Sequence, residues 1–228
     1  IRVRNNKLDK VLQLLDKAGI LYEVFANQAT VALPNGTSIE SIVQEKSWYE
    51  IQDASSQQTG ELFLPARQQR WWDCCAASGG KSILLKDLQP DVNLLVSDVR
   101  RSILENLQQR FAAAGIKHYE AQVADITAEN FPASMGGRQF NGIILDAPCS
   151  GSGTWRRQPE LKWRLTPARL QILTDLQDRL LDQAADRLEP QGHILYATCS
   201  ILPRENEDRV AAFLVRHPEF TLRRSEER

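Results

Sequence analysis

Two short stretches of this 228-residue chain end in a thiol: "NGIILDAPCSGSG" carries Cys149 and "GHILYATCSILP" carries Cys199. Each cysteine closes an apolar, strand-like run, and each is followed by a serine. A thiolate is a strong nucleophile that can also leave again. A single free cysteine is more often a small buried hydrophobe. Two placed alike at strand ends can instead face one reacting base. Asp146 lies three residues before Cys149, with Pro148 restricting the backbone between them.

One reaction uses this set. C5 of cytosine is too poor a nucleophile to take a methyl group from a sulfonium donor. A thiolate adding to C6 turns the ring into an enamine, and C5 becomes reactive. The C5 proton must then leave and the thiol must be eliminated, steps a second thiol or another base can assist. A carboxyl group that hydrogen-bonds N3 or N4 of the ring favours the adduct, and Asp146 is the candidate. The residues alone do not decide which thiol attacks.

A methyl donor needs its own cradle. "CAASGGK", Cys75 to Lys81, places small residues and two adjacent glycines between a strand and a helix. Such a turn lets backbone approach a ligand, and the helix start favours a carboxylate. It matches neither the dinucleotide GxGxxG pattern nor a P-loop, which disfavours a nucleotide-linked oxidoreductase. Asp98 lies 18 residues beyond Gly80 (98 minus 80), where an acidic side chain can hold two ribose hydroxyls. A nucleoside bearing an amino-acid carboxylate suits this pair, and S-adenosylmethionine (SAM) has both parts. The bland alternative is a glycine turn with Asp98 as a helix cap.

The elements that must position these groups can be read from periodicity. From Arg70 onward, strands alternate with helices: "RWWDCCA", "VNLLVSD", "KHYEAQVAD", "FNGIILDAPC" and "GHILYATC" read as strands, with helices between and after them. The long helix "PARLQILTDLQDRLLDQAADRL" is expected to end before Pro190. This alternation predicts an α/β, doubly wound parallel sheet, in which ligands sit at the carboxyl ends of strands. Trp71 and Trp72 fall inside the first strand and read as packing residues, and the three histidines receive no role. Residues 1–46 read as a small α+β unit and 47–228 as the catalytic domain, with truncation of the first unit and a missing closing strand of the second expected.

Apolar content of 42%, charged content of 25% and a formal net charge of -1 describe an ordinary globular chain without a global basic field. Contact with nucleic acid must therefore be local. "TWRRQPELKWRLTPAR" is such a place, with Arg156, Arg157, Lys162, Arg164 and Arg169 against Glu160 and with Trp155 and Trp163 interleaved. Basic groups neutralise phosphates and aromatic rings stack on unpaired bases. The stretch follows Cys149 directly. No cysteine pair has metal-ligand spacing, so no metal is expected, and no 18-residue apolar run is present. A cytoplasmic, monomeric protein with reduced thiols is expected.

"DCCAASGGK", "DAPCSGSGTWRRQPELKW" and "ATCSILPRENE" together resemble the three strongest motifs of the RNA cytosine-C5 methyltransferases of the NOL1/NOP2/Sun family, the bacterial 16S rRNA members among them. "IQDASSQ" resembles the segment ahead of that family's catalytic domain, and "IRVRNNK" the end of its RRM-like subdomain. The resemblance implies a Rossmann-like SAM-dependent fold with RNA as the partner, ribosomal RNA first and tRNA second, and a catalytically silent RNA-binding module as the remaining alternative. It implies Cys199 as the nucleophile on C6 and Cys149 as the group assisting release. Cys75, Ala76, Ala77, Ser78, Gly79, Gly80 and Lys81 would form the SAM loop, Asp98 would hold the ribose, Asp125 would sit near the adenine, and Asp146 would border SAM and base. Arg156, Arg157, Lys162 and Trp163 would contact RNA. The chain departs from the family at Ser78, where proline is usual, and at Asp125, in "VAD" where "GDG" is usual.

Overall fold

The sequence's first helical stretch has leucines at helical spacing and ends at a glycine, and it folds accordingly in the computed structural model, which describes residues 1–4, 6–25, 29–128, 131 and 135–223. Helix α1 (Leu8–Lys17) buries Val11 and Leu15, one turn apart, and Gly19 closes it in the left-handed region at φ +66°. Around it, β1 (Arg2–Val3), β2 (Glu23–Phe25), β3 (Thr30–Ala32) and β4 (Tyr49–Glu50) form an antiparallel sheet in the order β2-β3-β1-β4, with the short helix α2 (Ile39–Ile42) alongside. The sequence suggested a boundary after residue 46. Strand β4 lies beyond it and pairs Tyr49 with Val3, so the first sheet runs on to Glu50.

The second unit follows helix α3 (Ala54–Gln58). It comprises β5 (Arg70–Asp73), α4 (Gly80–Leu88), β6 (Asn93–Asp98), α5 (Arg101–Ala113), β7 (Glu120–Val123), β8 (Phe140–Asp146), α6 (Glu160–Arg164), α7 (Pro167–Ala185), β9 (Leu188–Ala197) and α8 (Glu207–Arg216). All strand pairs are parallel, in the order β7-β6-β5-β8-β9. The order reverses at β5 and β8, the place where an open parallel sheet forms a crevice at its carboxyl edge.

Two boundaries differ from the sequence reading. Strand β5 stops at Asp73, which leaves Cys74 and Cys75 in the turn. Helix α7 stops at Ala185, and β9 begins at Leu188, ahead of Pro190. Pairing slips between Phe140 and Gly142, and Gln191 takes φ +65° there. This irregularity in an edge strand accommodates a proline that a central strand would reject.

Successive residues of β5 point to opposite faces, so Trp71 and Trp72 anchor separate cores. Trp71 packs edge-on to Phe63 and His193 among Ile83, Leu107 and Phe111, and Trp72 stacks near Phe131 and Phe140 on the face covered by Leu180 and Leu181. Both indoles are fully buried, as their position in the strand led one to expect. His193 Nε2 donates to the Phe63 carbonyl at 2.7 Å, a packing role.

The two units are joined by ion pairs. Asp87 of α4 receives Arg2 at 2.5 Å and Arg4 at 2.7 Å, and Arg110 of α5 reaches Glu50 of β4 at 2.5 Å. Among the described residues no helix is long and apolar enough to cross a membrane.

Candidate active site

All the acidic residues and thiols singled out from the sequence lie at the carboxyl edge of the parallel sheet or within a few residues of it. The turn after β5 is built on backbone bonds: Ala76 N–H donates to Ser97 O at 2.9 Å and Gly79 N–H to Ala76 O at 2.8 Å. Gly79 takes φ +84°, and a Cβ there would come within 2.7 Å of Phe111 and 2.9 Å of Leu107. Its requirement for glycine is thus steric on two counts. Gly80 starts α4 with open space around it, the nearest atom to an added Cβ being Gln52 Nε2 at 3.9 Å. Ser78 accepts from Arg110 Nη1 through both its carbonyl (2.9 Å) and its hydroxyl (2.6 Å). The serine that stands where proline is usual therefore ties the loop to α5.

A cavity of about 240 Å³ opens over this turn. It is lined by Ala76, Ala77, Ser78, Gly80 and Lys81 of the turn, Asp73 and Asp146 at strand ends, Arg110 of α5, and Ile51, Gln52, Asp53 and Ser56 of the inter-unit segment. Cys75, Gly79, Asp98 and Asp125 are not part of the lining. Asp98 is buried at the end of β6, and its carboxylate accepts from Ala77 N–H (3.1 Å) and from Arg100 N–H, Nε (both 2.9 Å) and Nη2 (3.0 Å). Burial alone would raise its pKa, but the bonds from Arg100 and Ala77 outweigh it and hold the carboxyl below the usual range. Asp125 lies exposed two residues beyond β7, where Oδ1 accepts from Thr127 N–H at 2.9 Å and Thr127 Oγ1 at 2.7 Å.

Asp73 was missed in the sequence because the strand was read through to Ala76. With β5 ending at Asp73, the strand-end rule that selected Asp98 selects it too. It is fully buried, Oδ2 accepts from Ser82 Oγ at 2.7 Å, and Oδ1 has no partner. Burial raises its carboxyl to about 7, against the opposing Ser82 bond.

The two thiols meet. Cys149 Sγ and Cys199 Sγ are 3.3 Å apart, carried by the loops after the adjoining strands β8 and β9. Cys199 is exposed and Cys149 half-buried. The hydrogen bond from Cys149 lowers Cys199 to about 7; burial and nearby Asp146 oppose this, and Lys81 assists it. The same bond, with burial second, pushes Cys149 well above the ordinary thiol range. Cys199, the more exposed, is therefore the more acidic thiol of the pair. Asp146, at the end of β8, forms an ion pair with Lys81 at 2.6 Å. One carboxylate thus borders both the cavity and the thiol pair.

The basic stretch after Cys149 folds over this edge. Gly151 turns the chain at φ +68°, and Gly153 lies so close to Cys199 that a Cβ would meet its carbonyl oxygen at 2.8 Å. Arg156, Lys162 and Trp163 are exposed, Trp163 at 83%. Arg157 instead pairs at 2.7 Å with Asp53, a residue of the cavity wall. Trp155 is half-buried, and its indole N–H has no partner.

A parallel sheet with a glycine turn after its first strand and acidic groups after the following ones is the Rossmann-like methyltransferase fold. The crystal structure of PH0851 matches it with a TM-score of 0.88 at 29% identity, covering 99% of this chain and 52% of that one. A methyltransferase homologue from Pyrococcus horikoshii shares the fold at a TM-score of 0.77 and 24% identity, over 94% and 68% of the two chains. Residues 61–227 match the family model described as 16S rRNA methyltransferase RsmB/F, and the chain belongs to that family. Ribosomal RNA small subunit methyltransferase B of Shewanella oneidensis is 36% identical over 226 residues, which is 96% of this chain and 52% of the relative. The chain thus spans about half the length of that relative.

Proposed function

We propose that this chain methylates C5 of a cytosine in ribosomal RNA with SAM as donor, through a covalent bond between Cys199 and C6 of the base. The observation that carries this reading is the pair of thiols 3.3 Å apart, one exposed and readily ionised, beside a carboxylate that also lines the cavity. The names of the relatives support ribosomal RNA as the substrate class.

The cavity suits the donor. Its wall is made of small residues and a helix start that leave room for an amino-acid moiety, and Asp73 Oδ1 is a buried acceptor without a partner in its lining. Cys75 to Lys81 would hold the amino-acid part, Asp98 the ribose and Asp125 the adenine side. For Asp98 to accept ribose hydroxyls, the exposed Arg100 side chain would have to release it. Bound there, SAM supplies an electrophilic methyl group.

The remaining steps belong to the protein. A target base must leave its stack to reach the sheet edge. Trp163 offers a face for stacking, and Arg156 and Lys162 offer charge for phosphates. Cys199 thiolate forms the Sγ–C6 bond, and the ring electrons move toward C5. Asp146, as a carboxylate, accepts from the N4 amino group of the ring and holds the base over Cys199 as that charge develops. After methylation C5 gives up its proton to a base, the C5–C6 double bond re-forms, and the Sγ–C6 bond breaks to return the thiolate. Cys149, protonated and adjacent, assists this release.

A Cys149→Ala variant, incubated with SAM and unmodified ribosomal RNA, should accumulate a covalent protein–RNA species on a denaturing gel, and Cys149→Ala/Cys199→Ala should form none. Normal turnover without any adduct in Cys149→Ala would refute the assigned roles.

A further inference from the structure

The second half of the "TCSILPRENE" stretch lies outside the cavity and the thiol pair, yet two of its residues reach both thiol loops. Glu205 is fully buried in a turn after β9. Its carboxylate accepts from Ser150 N–H at 2.8 Å and from Ser150 Oγ at 2.5 Å. It also accepts from Gln177 Nε2 at 3.1 Å, and the same amide donates to Pro148 O at 2.9 Å. Both neighbours of Cys149 are therefore gripped, Pro148 by Gln177 and Ser150 by Glu205. The next residue does the same for the other thiol. Asn206 Oδ1 accepts from Thr198 Oγ1 at 2.7 Å, and Asn206 Nδ2 donates to Ser200 O at 3.0 Å and Leu202 O at 3.0 Å. Both neighbours of Cys199 are thus held by Asn206. The two loops are then pinned to each other: Gly153 N–H donates to Cys199 O at 2.9 Å, and Ser152 and Ser200 hydroxyls bond at 2.9 Å.

We infer that Glu205 and Asn206 are positioning residues that fix the separation of the two thiols, Glu205 through the Cys149 loop and Asn206 through the Cys199 loop. A buried carboxylate held by neutral donors is a costly feature for a fold to keep. Here it has a local task, because it holds the backbone on the far side of Cys149 while the direct bonds between the loops act beyond it. The thiol–thiol bond exists only while the sulfurs stay within hydrogen-bonding reach, so loosening either loop removes it. Besides a backbone hydrogen bond of its own, the groups that act on the Cys199 sulfur are Cys149, Asp146 and Lys81, and of these only Cys149 is carried by the loop Glu205 holds. The consequence for methyl transfer rests on the proposed function, whereas the thiol geometry does not.

The test reads Cys199 directly, without RNA or donor. The rate of Cys199 alkylation by iodoacetamide, located by peptide mass, is followed against pH in the parent, Glu205→Gln, Cys149→Ala and Glu205→Gln/Cys149→Ala. The parent should show a midpoint near 7. Glu205→Gln should raise it by about one unit or more, toward the ordinary thiol value, and so lower the rate at pH 7 several-fold. Cys149→Ala should raise it similarly, and the double variant should move no further, because both changes remove the same bond. Ser150→Ala, a milder change that removes one donor to Glu205, should give a smaller shift in the same direction, and a melting curve confirms folding of each variant. An unchanged midpoint in folded Glu205→Gln or Ser150→Ala would overturn the inference. So would an equal further shift on the Cys149→Ala background. Either result would leave the proposed methyl transfer standing, since that is tested by the adduct.

Discussion

At the level of single residues, the site is a set of groups whose protonation is set by burial and by one another. The two cysteines were visible in the sequence as strand-end thiols. Which one ionises was not, because that depends on a 3.3 Å contact between residues 50 positions apart and on their unequal exposure. Asp73 presents the complementary case. Its carboxyl is held up to about 7 by burial, so the folded protein keeps a proton that the unfolded chain releases near pH 4. A raised folded-state pKa means that stability is lost as pH rises through the interval from about 4 to about 7 and is level above it. Asp73→Asn has no such titration. The stability of that variant relative to the parent should therefore increase between pH 5 and pH 8, on the order of 2 kcal/mol, whatever constant offset the lost Ser82 contact introduces. Urea unfolding of the donor-free protein at the two pH values measures this, and an identical difference at both would mean that Asp73 is ionised in the fold throughout.

At the level of elements, periodicity carried most of the information. Five parallel strands and their helices were legible because buried strands read as apolar runs and amphipathic helices repeat every three to four residues. The errors have physical causes. Cys74 to Ala76 reads as a strand continuation by composition, but the backbone turns there into the glycine loop. Asp186 to Leu188 reads as a helix end because a proline follows, but the helix stops at Ala185 and Leu188 starts β9, an edge strand with room for an irregularity. Residue 46 marks no structural break, since β4 still belongs to the first sheet. Close packing between elements was also invisible in the sequence. Gly142 of β8 faces Trp71 of β5 so closely that a Cβ would sit 2.5 Å from the indole, which is itself enclosed by Phe63 and His193. Gly142→Ala should overpack this contact and lower stability by about 1–3 kcal/mol, seen as a fall in the urea midpoint with the slope unchanged. No fall would mean that the indole can move aside.

At the level of the whole molecule, the small sheet and the parallel sheet share one set of contacts around the cavity over the glycine turn. Arg2 and Arg4 converge on Asp87 of α4, and Arg110 links Glu50 of the small sheet to the hydroxyl and carbonyl of Ser78 in the donor loop. The segment between the units supplies one wall of the cavity, and Arg157 of the basic stretch reaches across to Asp53 on that wall. Donor loop, thiol pair and basic surface are therefore neighbours on one edge of one sheet. That adjacency is what the proposed methyl transfer would need. The sequence named the separate parts through their motifs, but the residues that join them, Arg110, Asp53, Glu205 and Asn206, emerge only from the fold. The central claim is tested most directly with the protein in its full natural length, methyl-labelled SAM and unmodified ribosomal RNA, followed by nucleoside analysis. The account predicts label in 5-methylcytidine, absent when Cys199 is replaced by alanine. Label in another nucleoside, or undiminished label in Cys199→Ala, would contradict it.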